Sequence, residues 1–518
     1  MTMISPHPSN YPAATRREWI GLAVIALPCM VYAMDMTVLN LALPAISAQL
    51  QPSSSQLLWI IDIYGFLVAG LLITMGTLGD RIGRRKLLLA GAAAFGAAST
   101  IAAFSNSAEM LIAMRALLGV AGATLAPSTM SLIRNMFHDE HERRLAIGIW
   151  IASFSLGSAI GPLVGGLLLE FFWWGSVFLV AVPVMLLLLA LGPALLPEYR
   201  DPDAGPIDLA SVAQSLFAVL AIIYGIKDIA QHGPGWLSAA AILAGVAVGL
   251  AFVRRQRHLA YPLLDMSLFL RPAFGAAIAT YALSCLAMFG IYVFITQYLQ
   301  LVLGLNPLQA GLVTVPWALG FVLGSLFAPR LARRASPRVI FVGGLLAAAA
   351  GFALLVLADR PYGLEAVVAG MIVVSLGMAP VITIGNEMII TAAPPERAGS
   401  ASAISETCAE LSAALGIAVL GSIGTLFYRT GLSAAMPEGI PEPAASAAMA
   451  TLGGAVTAAQ ALPGAAGEAM LSAARAAFVG ALQFMSVTGA ILVVGAALAA
   501  ARILRAGRGT PALDDRAT

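Results

Sequence analysis

The sequence predicts an all-α integral membrane protein with fourteen transmembrane helices, grouped six, two and six, and both termini in the cytoplasm. Three observations predict it. Of 518 residues, 60% are hydrophobic and 10% charged, against about 25% charged in an ordinary soluble domain. Fourteen apolar segments, centred near residues 30, 67, 96, 120, 157, 186, 218, 244, 287, 318, 348, 376, 413 and 490, reach the roughly 20 residues that a spanning helix needs. With the N-terminus inside, all of the 28 Lys and Arg except Arg115, Lys227, Arg360, Arg429 and Arg475 fall in the N-terminal segment, the even-numbered loops or the tail. That is the positive-inside pattern of an even number of spans.

A cytoplasmic segment, 1–17, leads into a first six-helix bundle over 18–197. The first span follows Arg16 and Arg17 like the core of a signal peptide, but it is too long, carries Asp35 and is followed by no small-residue cleavage site. A polar loop from Pro197 to Pro206 precedes an inserted pair of helices, 207–253, and a basic amphipathic connector, 254–272. The second six-helix bundle covers 273–504, and 505–518 form a cytoplasmic tail. Inside this bundle the outer loop 430–474 is rich in Ala, Gly and Pro. It is either a helical hairpin folded about Pro463 and Gly464 over the outer mouth, or a disordered linker.

Between the second and third spans, Gly76, Asp80, Arg81, Gly83, Arg84 and Arg85 stand in the order G-x-L-x-D-R-x-G-R-R. This resembles the signature loop of the major facilitator superfamily at every defining position, and the resemblance implies the major facilitator fold. Gly324, Arg330, Arg333 and Arg334 form a degenerate copy at the matching place in the last bundle, without the aspartate, as expected of a fold built from parallel halves. The loop reads either as a conformational latch, with Asp80 pairing to arginines or to a helix N-terminus, or as a topological anchor.

Four intramembrane groups demand a reason. A carboxylate at mid-membrane costs at least ~2.5 to 3.5 kcal/mol on insertion scales. Asp35, followed by Thr37, Asn40, Ala42, Leu43 and Pro44, resembles the D-x-T-x-x-N-x-A-L-P motif of drug:proton antiporters. Burial penalises its charged form, so Asp35 either exchanges a proton against a bound cation or is a neutral acid bonded within the bundle. Glu406 and Glu410 share one face of the thirteenth span, where two like charges cannot both ionise easily. Glu387, in the twelfth span, either joins their cavity or pairs near the cytoplasmic end. Arg115, always charged, needs an anionic partner or a polar cavity. Its setting before Gly119 is similar to the fourth-helix motif of the superfamily, which implies proton transfer beside the first-helix acid.

Asp62 reads as nearer the outer surface, either guiding cations inward or sitting among interfacial aromatics such as Trp59 and Tyr64. In the fifth span Gly157, Gly161, Pro162, Gly165 and Gly166 permit close helix approach and a bend. They resemble the G-x-x-x-G-P-x-x-G-G motif of facilitator exporters. Tyr292, Tyr298 and Trp317 are candidate aromatic faces for flat lipophilic cations, or simply packing.

The whole pattern resembles the fourteen-span drug:proton antiporter family, most of all methyl viologen resistance and quaternary ammonium and dye exporters. The residues that carry this last likeness are Ser128 to Phe137 and Arg143 to Ile147. It implies a multi-pass protein of the bacterial inner membrane, a monomer that exports hydrophobic cations in exchange for protons and needs no cofactor. An exporter of a siderophore, lipid or peptide-like metabolite is the alternative with the same fold. No GxxxxGK[ST] loop stands in the sequence, nor any His/Cys/Glu cluster of an enzyme. Cys29, Cys285 and Cys408 lie in predicted helices without the spacing of a metal site or disulfide. Basic patches separated by spans do not suit nucleic acid.

Overall fold

The computed structural model describes residues 14–200, 208–259, 262–264, 266–359, 361–391, 398–462 and 464–506. Most of the tail, of the Pro197–Pro206 loop and of the first seventeen residues therefore lies outside the described residues. Fourteen helices are long and apolar enough to span. The first six are Arg16–Leu50, Ser54–Ile82, Arg84–Ala103, Ala108–Met136, Leu145–Phe171 and Ser176–Leu195. The inserted pair is Leu209–His232 and Trp236–Gln256. The last six are Phe274–Val302, Pro307–Ala332, Pro337–Asp359, Gly363–Thr391, Ala401–Ala435 and Gly464–Arg502.

Helices are the form that satisfies every backbone group of a segment within lipid, and their starts are marked in the sequence. Thr15 with Glu18, Ser53 with Gln56 and Asn306 with Gln309 form capping boxes, and Pro307 and Pro337 occupy first-turn positions. The first span begins at Arg16, because the Thr15 box starts the helix before the basic pair ends. The eighth runs to Gln256, three residues past the expected boundary at 253. Arg254 and Arg255 in its last turn favour the negative end of the helix dipole.

Each bundle has its own core. One is built on residues such as Ile25, Leu88, Phe95, Leu111 and Phe178 of the first six spans. The other is built on Ile295, Leu345, Phe352, Val374 and Met485 of the last six. The seventh span docks on the second and thirteenth through Phe66, Ile223, Ala414 and Ala418, so the inserted pair leans on both halves.

The outer loop is helical. Glu442–Ala450 and Leu452–Ala461 form a hairpin that turns at Thr451, whose side chain caps the second helix. The turn is not at Pro463 and Gly464: Pro463 lies outside the described residues, and Gly464 opens the last span. Tyr428 donates to the Ala448 carbonyl at 2.7 Å and Ser54 to the Ala450 carbonyl at 2.5 Å. The hairpin thus rests on the outer ends of the second and thirteenth spans.

Candidate functional site

Asp35 and Arg115 meet in the centre of the first bundle. Arg115 Nη1 lies 2.5 Å from Asp35 Oδ2, its Nε donates to the Ile60 carbonyl at 3.1 Å, and its guanidinium stacks over the Tyr64 ring at 4.6 Å. Arg115 is 1% exposed and Asp35 11%. A permanently charged guanidinium can be buried this deeply because an acid, a carbonyl and a ring face each take part of its charge. The Tyr64 ring also packs on that of Tyr32, with centroids 5.9 Å apart. Tyr32, one helical turn before Asp35, donates its hydroxyl to Glu410 Oε1 at 2.8 Å. Asp35 of one half is thus joined to Glu410 of the other through Arg115, Tyr64 and Tyr32. Among the described residues, Glu410 Oε2 and the Tyr64 hydroxyl have no hydrogen-bond partner.

Glu406, one turn nearer the cytoplasm than Glu410, is exposed although it stands two turns inside its helix, and so is Glu387 in the last turns of the twelfth span. Between them Ser405 donates to Asn386 at 2.6 Å. The described contacts between the halves lie farther out. Gln300 donates to the Leu41 carbonyl at 3.2 Å, and the fifth and tenth spans touch backbone to backbone. The exposed Glu406 and Glu387 therefore lie on the cytoplasmic side of these crossings.

Of the fifth-span glycines, Gly166 takes part in those crossings, while Gly157, Gly161 and Gly165 pack on the first span of the same half. A Cβ on Gly157 would stand 2.1 Å from the Met30 carbonyl oxygen, one on Gly161 2.1 Å from Thr37 Oγ1, and one on Gly165 3.1 Å from Val38. A Cβ on Gly166 would stand 2.7 Å from the Pro307 carbonyl oxygen, and one on Gly311 would meet that of Pro162 at 2.4 Å. At Gly157, Gly166 and Gly311 the facing atoms are backbone, so only glycine fits there without a shift of the helices.

The signature loop acts within the first half. Asp80 pairs with Arg84 at 2.6 Å, and Arg84 also donates to the Pro127 carbonyl at 3.2 Å. Arg85 donates to the carbonyls of Pro193 and Leu196 and lies 3.6 Å from Glu198. Gly83 takes φ 114°, and a Cβ there would meet Glu198 at 2.5 Å, so this turn needs glycine. Gly76 faces Pro127 and Arg81 is exposed.

Asp62 is not at an interface. It is buried, and its Oδ1 lies 2.8 Å from Nζ of Lys227 in the seventh span, which is equally buried and sits 3.7 Å from the Trp59 ring centroid. A carboxylate enclosed in this way guides nothing in from outside. Lys227 is the group that sequence reasoning missed, having placed it only as an exception to the charge rule. A lysine inside a span, about as far from the outer face as Asp62, was the available signal. Of the aromatic candidates, Tyr292 and Trp317 pack on each other at 5.5 Å in the second core. Tyr298 donates to the Ala358 carbonyl at 2.7 Å and is not brought to the carboxylates.

Comparison with known proteins agrees with this geometry. Residues 25–417 match the family model of the Major Facilitator Superfamily. The chain is 46% identical to the multidrug efflux pump LfrA of Mycolicibacterium smegmatis over 94% of its own length and 97% of that protein. It is 35% identical to the methyl viologen resistance protein SmvA of Salmonella typhimurium over 89% and 93% of the two chains. Among solved structures, an inward-facing, unoccupied bacterial homologue of the lysosomal transporter Spinster aligns with TM-score 0.66 at 18% identity, covering 96% of this chain and all of that one. With fourteen spans, two bundles and the signature loop in place, the chain belongs to the Major Facilitator Superfamily and is a multi-pass inner-membrane transporter rather than an enzyme.

Proposed function

We propose that this transporter exports hydrophobic cations, such as methyl viologen, quaternary ammonium biocides and ethidium- or acriflavine-type dyes, in exchange for protons. The observation that carries the reading is the side-chain chain Asp35, Arg115, Tyr64, Tyr32 and Glu410, which joins an acid of one half to an acid of the other. The names of the relatives point to the same cargo.

A cation entering from the cytoplasm first meets the exposed Glu406 and Glu387 and then Glu410, whose buried Oε2 lacks a hydrogen bond. Its charge satisfies carboxylates that would otherwise stand unpaired in low dielectric. Rocking of the halves then exposes the site to the periplasm. A proton arriving there neutralises Asp35 or a glutamate, which removes the attraction that held the cation and, at Asp35, the partner of Arg115. Release of the proton to the cytoplasm re-forms the Asp35–Arg115 pair. Energy comes from the proton gradient, and the cycle uses no cofactor.

The test is dye transport in inverted vesicles energised with a proton gradient, native chain against Asp35→Asn. Uncoupler-sensitive ethidium or viologen transport, abolished by Asp35→Asn, is the expected result. Transport that survives Asp35→Asn moves coupling to Glu406, Glu410 or Glu387. Failure of a well-expressed native chain to move any cation would sink the cation reading.

A further inference from the structure

One unexplained apolar space lies outside the transport path. Between the inserted pair and the seam of the two halves lies a cavity of about 440 Å³, walled by Phe66 and Thr74 of the second span, Val219 of the seventh, Leu250 and Val253 of the eighth, and Leu411 of the thirteenth. That is within the roughly 300–1,000 Å³ of small-molecule sites, yet the walls are almost wholly apolar. They come from the cytoplasmic halves of the four spans, at the depth of the inner leaflet, with Leu263 and Leu264 of the connector at the inner end.

The rim of this cavity is basic. Gly249, Val253 and Gln256 follow one another at four- and three-residue steps along the eighth span, with Leu250 beside them, and Gln256 is buried against Ser211 and the Leu264 amide. Arg254 lies one turn beyond Leu250, and Arg257 one turn beyond Val253, so both continue the cavity-facing stripe. Both are exposed, and no side-chain hydrogen bond or ion pair involving them is found among the described residues. Arg255, beside them, is held by Asp208 in a two-pronged pair at 2.9 and 3.0 Å, leaving a positive surplus at the rim. An apolar slot that ends in two free guanidinium groups at the cytoplasmic face fits an acyl chain below a phosphate. A cationic substrate would be repelled at that rim.

We propose that this cavity is a binding site for an anionic phospholipid of the inner leaflet, with an acyl chain between the inserted pair and the seam and the headgroup on Arg254 and Arg257. The walls belong to the first half, the second half and the inserted pair at once, so the lipid is a wedge that links all three. The inserted helices hold this lipid against the moving seam. The inference is independent of what the transporter carries.

Delipidated full-length protein is titrated with phosphatidylglycerol or with phosphatidylcholine of matched chains, and bound lipid is counted by native mass spectrometry. One phosphatidylglycerol binds the native chain in preference to phosphatidylcholine. In R254Q/R257Q the preference falls about tenfold or more. Both substitutions are on exposed groups and leave the fold alone. Gly249→Phe fills the slot and removes chain binding of both lipids. A Cβ there lies an ordinary 3.6 Å from Ala218, so the side chain is not blocked at its first carbon. Equal binding of the two lipids to the native chain, or an unchanged preference in R254Q/R257Q, overturns the proposal. So does displacement of phosphatidylglycerol by dodecyltrimethylammonium with loss of that cation's export in Gly249→Phe, which would give the cavity to substrate.

Discussion

Replacing Lys227 by Met should unfasten the inserted helix pair. The ammonium is the one described partner of the Asp62 carboxylate, at 2.8 Å, and Asp62 Oδ2 already lacks a hydrogen bond. Removing one member of a buried ion pair costs about 3–5 kcal/mol, because the survivor keeps its desolvation penalty without its partner. That is roughly 200- to 5,000-fold in a folding or docking equilibrium. Trp59 adds to the loss, since a desolvated cation over an aromatic face is worth about 2 kcal/mol or more. The two contributions overlap and do not simply add.

The double variant Asp62→Asn/Lys227→Met separates charge from packing. Neutral residues of similar volume at both positions remove the penalty together with the attraction, and such replacements are often neutral. We expect Lys227→Met to lower the denaturation midpoint of the purified full chain and to expose the seventh span to protease. The double variant should recover most of the loss, with a coupling energy of about 2 kcal/mol or more. Equal damage in single and double variants would refute the reasoning, because the loss would then come from packing. A Lys227→Met chain as stable as native would refute it too.

Tyr32→Phe leaves a buried Glu410 oxygen unpaired, at about 1–3 kcal/mol. Transport should fall about tenfold or more, while Tyr64→Phe, whose hydroxyl has no described partner, stays near native in the same vesicle assay. Gly157→Ala drives a methyl into the Met30 carbonyl, whereas Gly148→Ala meets nothing within 4 Å; the first should lose folded protein on size-exclusion chromatography and the second should not. Gly166→Ala presses on the Pro307 carbonyl and should raise thiol labelling of a cysteine placed at Leu41, reporting an opened outer seam. Asp208 is held down to about 2, chiefly by hydrogen bonds from Arg255. Its contribution is therefore present above the ordinary carboxylate range near ~4 and lost as pH falls towards 2. The stability gap between native and Asp208→Asn, which keeps the helix cap, should close between roughly pH 4 and 2.

The fourteen spans were legible because length, hydropathy and the placement of Lys and Arg are local signals that the bilayer enforces. Asp35 and Arg115 stood out for the same reason, being charges where lipid tolerates none. Which charge meets which was not legible. Tyr32 and Glu410 are 378 residues apart and Asp62 and Lys227 165; no periodicity carries such a pairing, which depends on how whole helices dock. The outer loop shows the intermediate case. Its alanines announced helix, but the turn at Thr451 was set by one side-chain cap, a cue weaker on the page than the Pro463–Gly464 pair. Tyr298 failed as a cavity candidate because an aromatic's role depends on where its hydroxyl finds a partner, here a backbone carbonyl of the eleventh span.

Where the switch is held follows from which contacts cross between halves. The signature loop does not cross in this state: Asp80, Arg84 and Arg85 bind the fourth and sixth spans and Glu198, which makes the first half one rigid body. The described crossings include the Tyr32–Glu410, Gln300–Leu41 and Ser54–Ala450 bonds and the glycine contacts at Gly65, Gly166, Gly311 and Gly421. Moving a two-state equilibrium from 1:99 to 99:1 takes about 5.5 kcal/mol. One hydrogen bond to a buried carboxylate supplies about 1–3 kcal/mol, so loading or protonating Glu410 alone tilts the halves without turning them over. The remainder has to come from the other crossings, among them the outer glycine seam, which is bistable because its backbones either touch or part. Binding inside and release of the seam outside must therefore act together, which is the condition for exchange without leak.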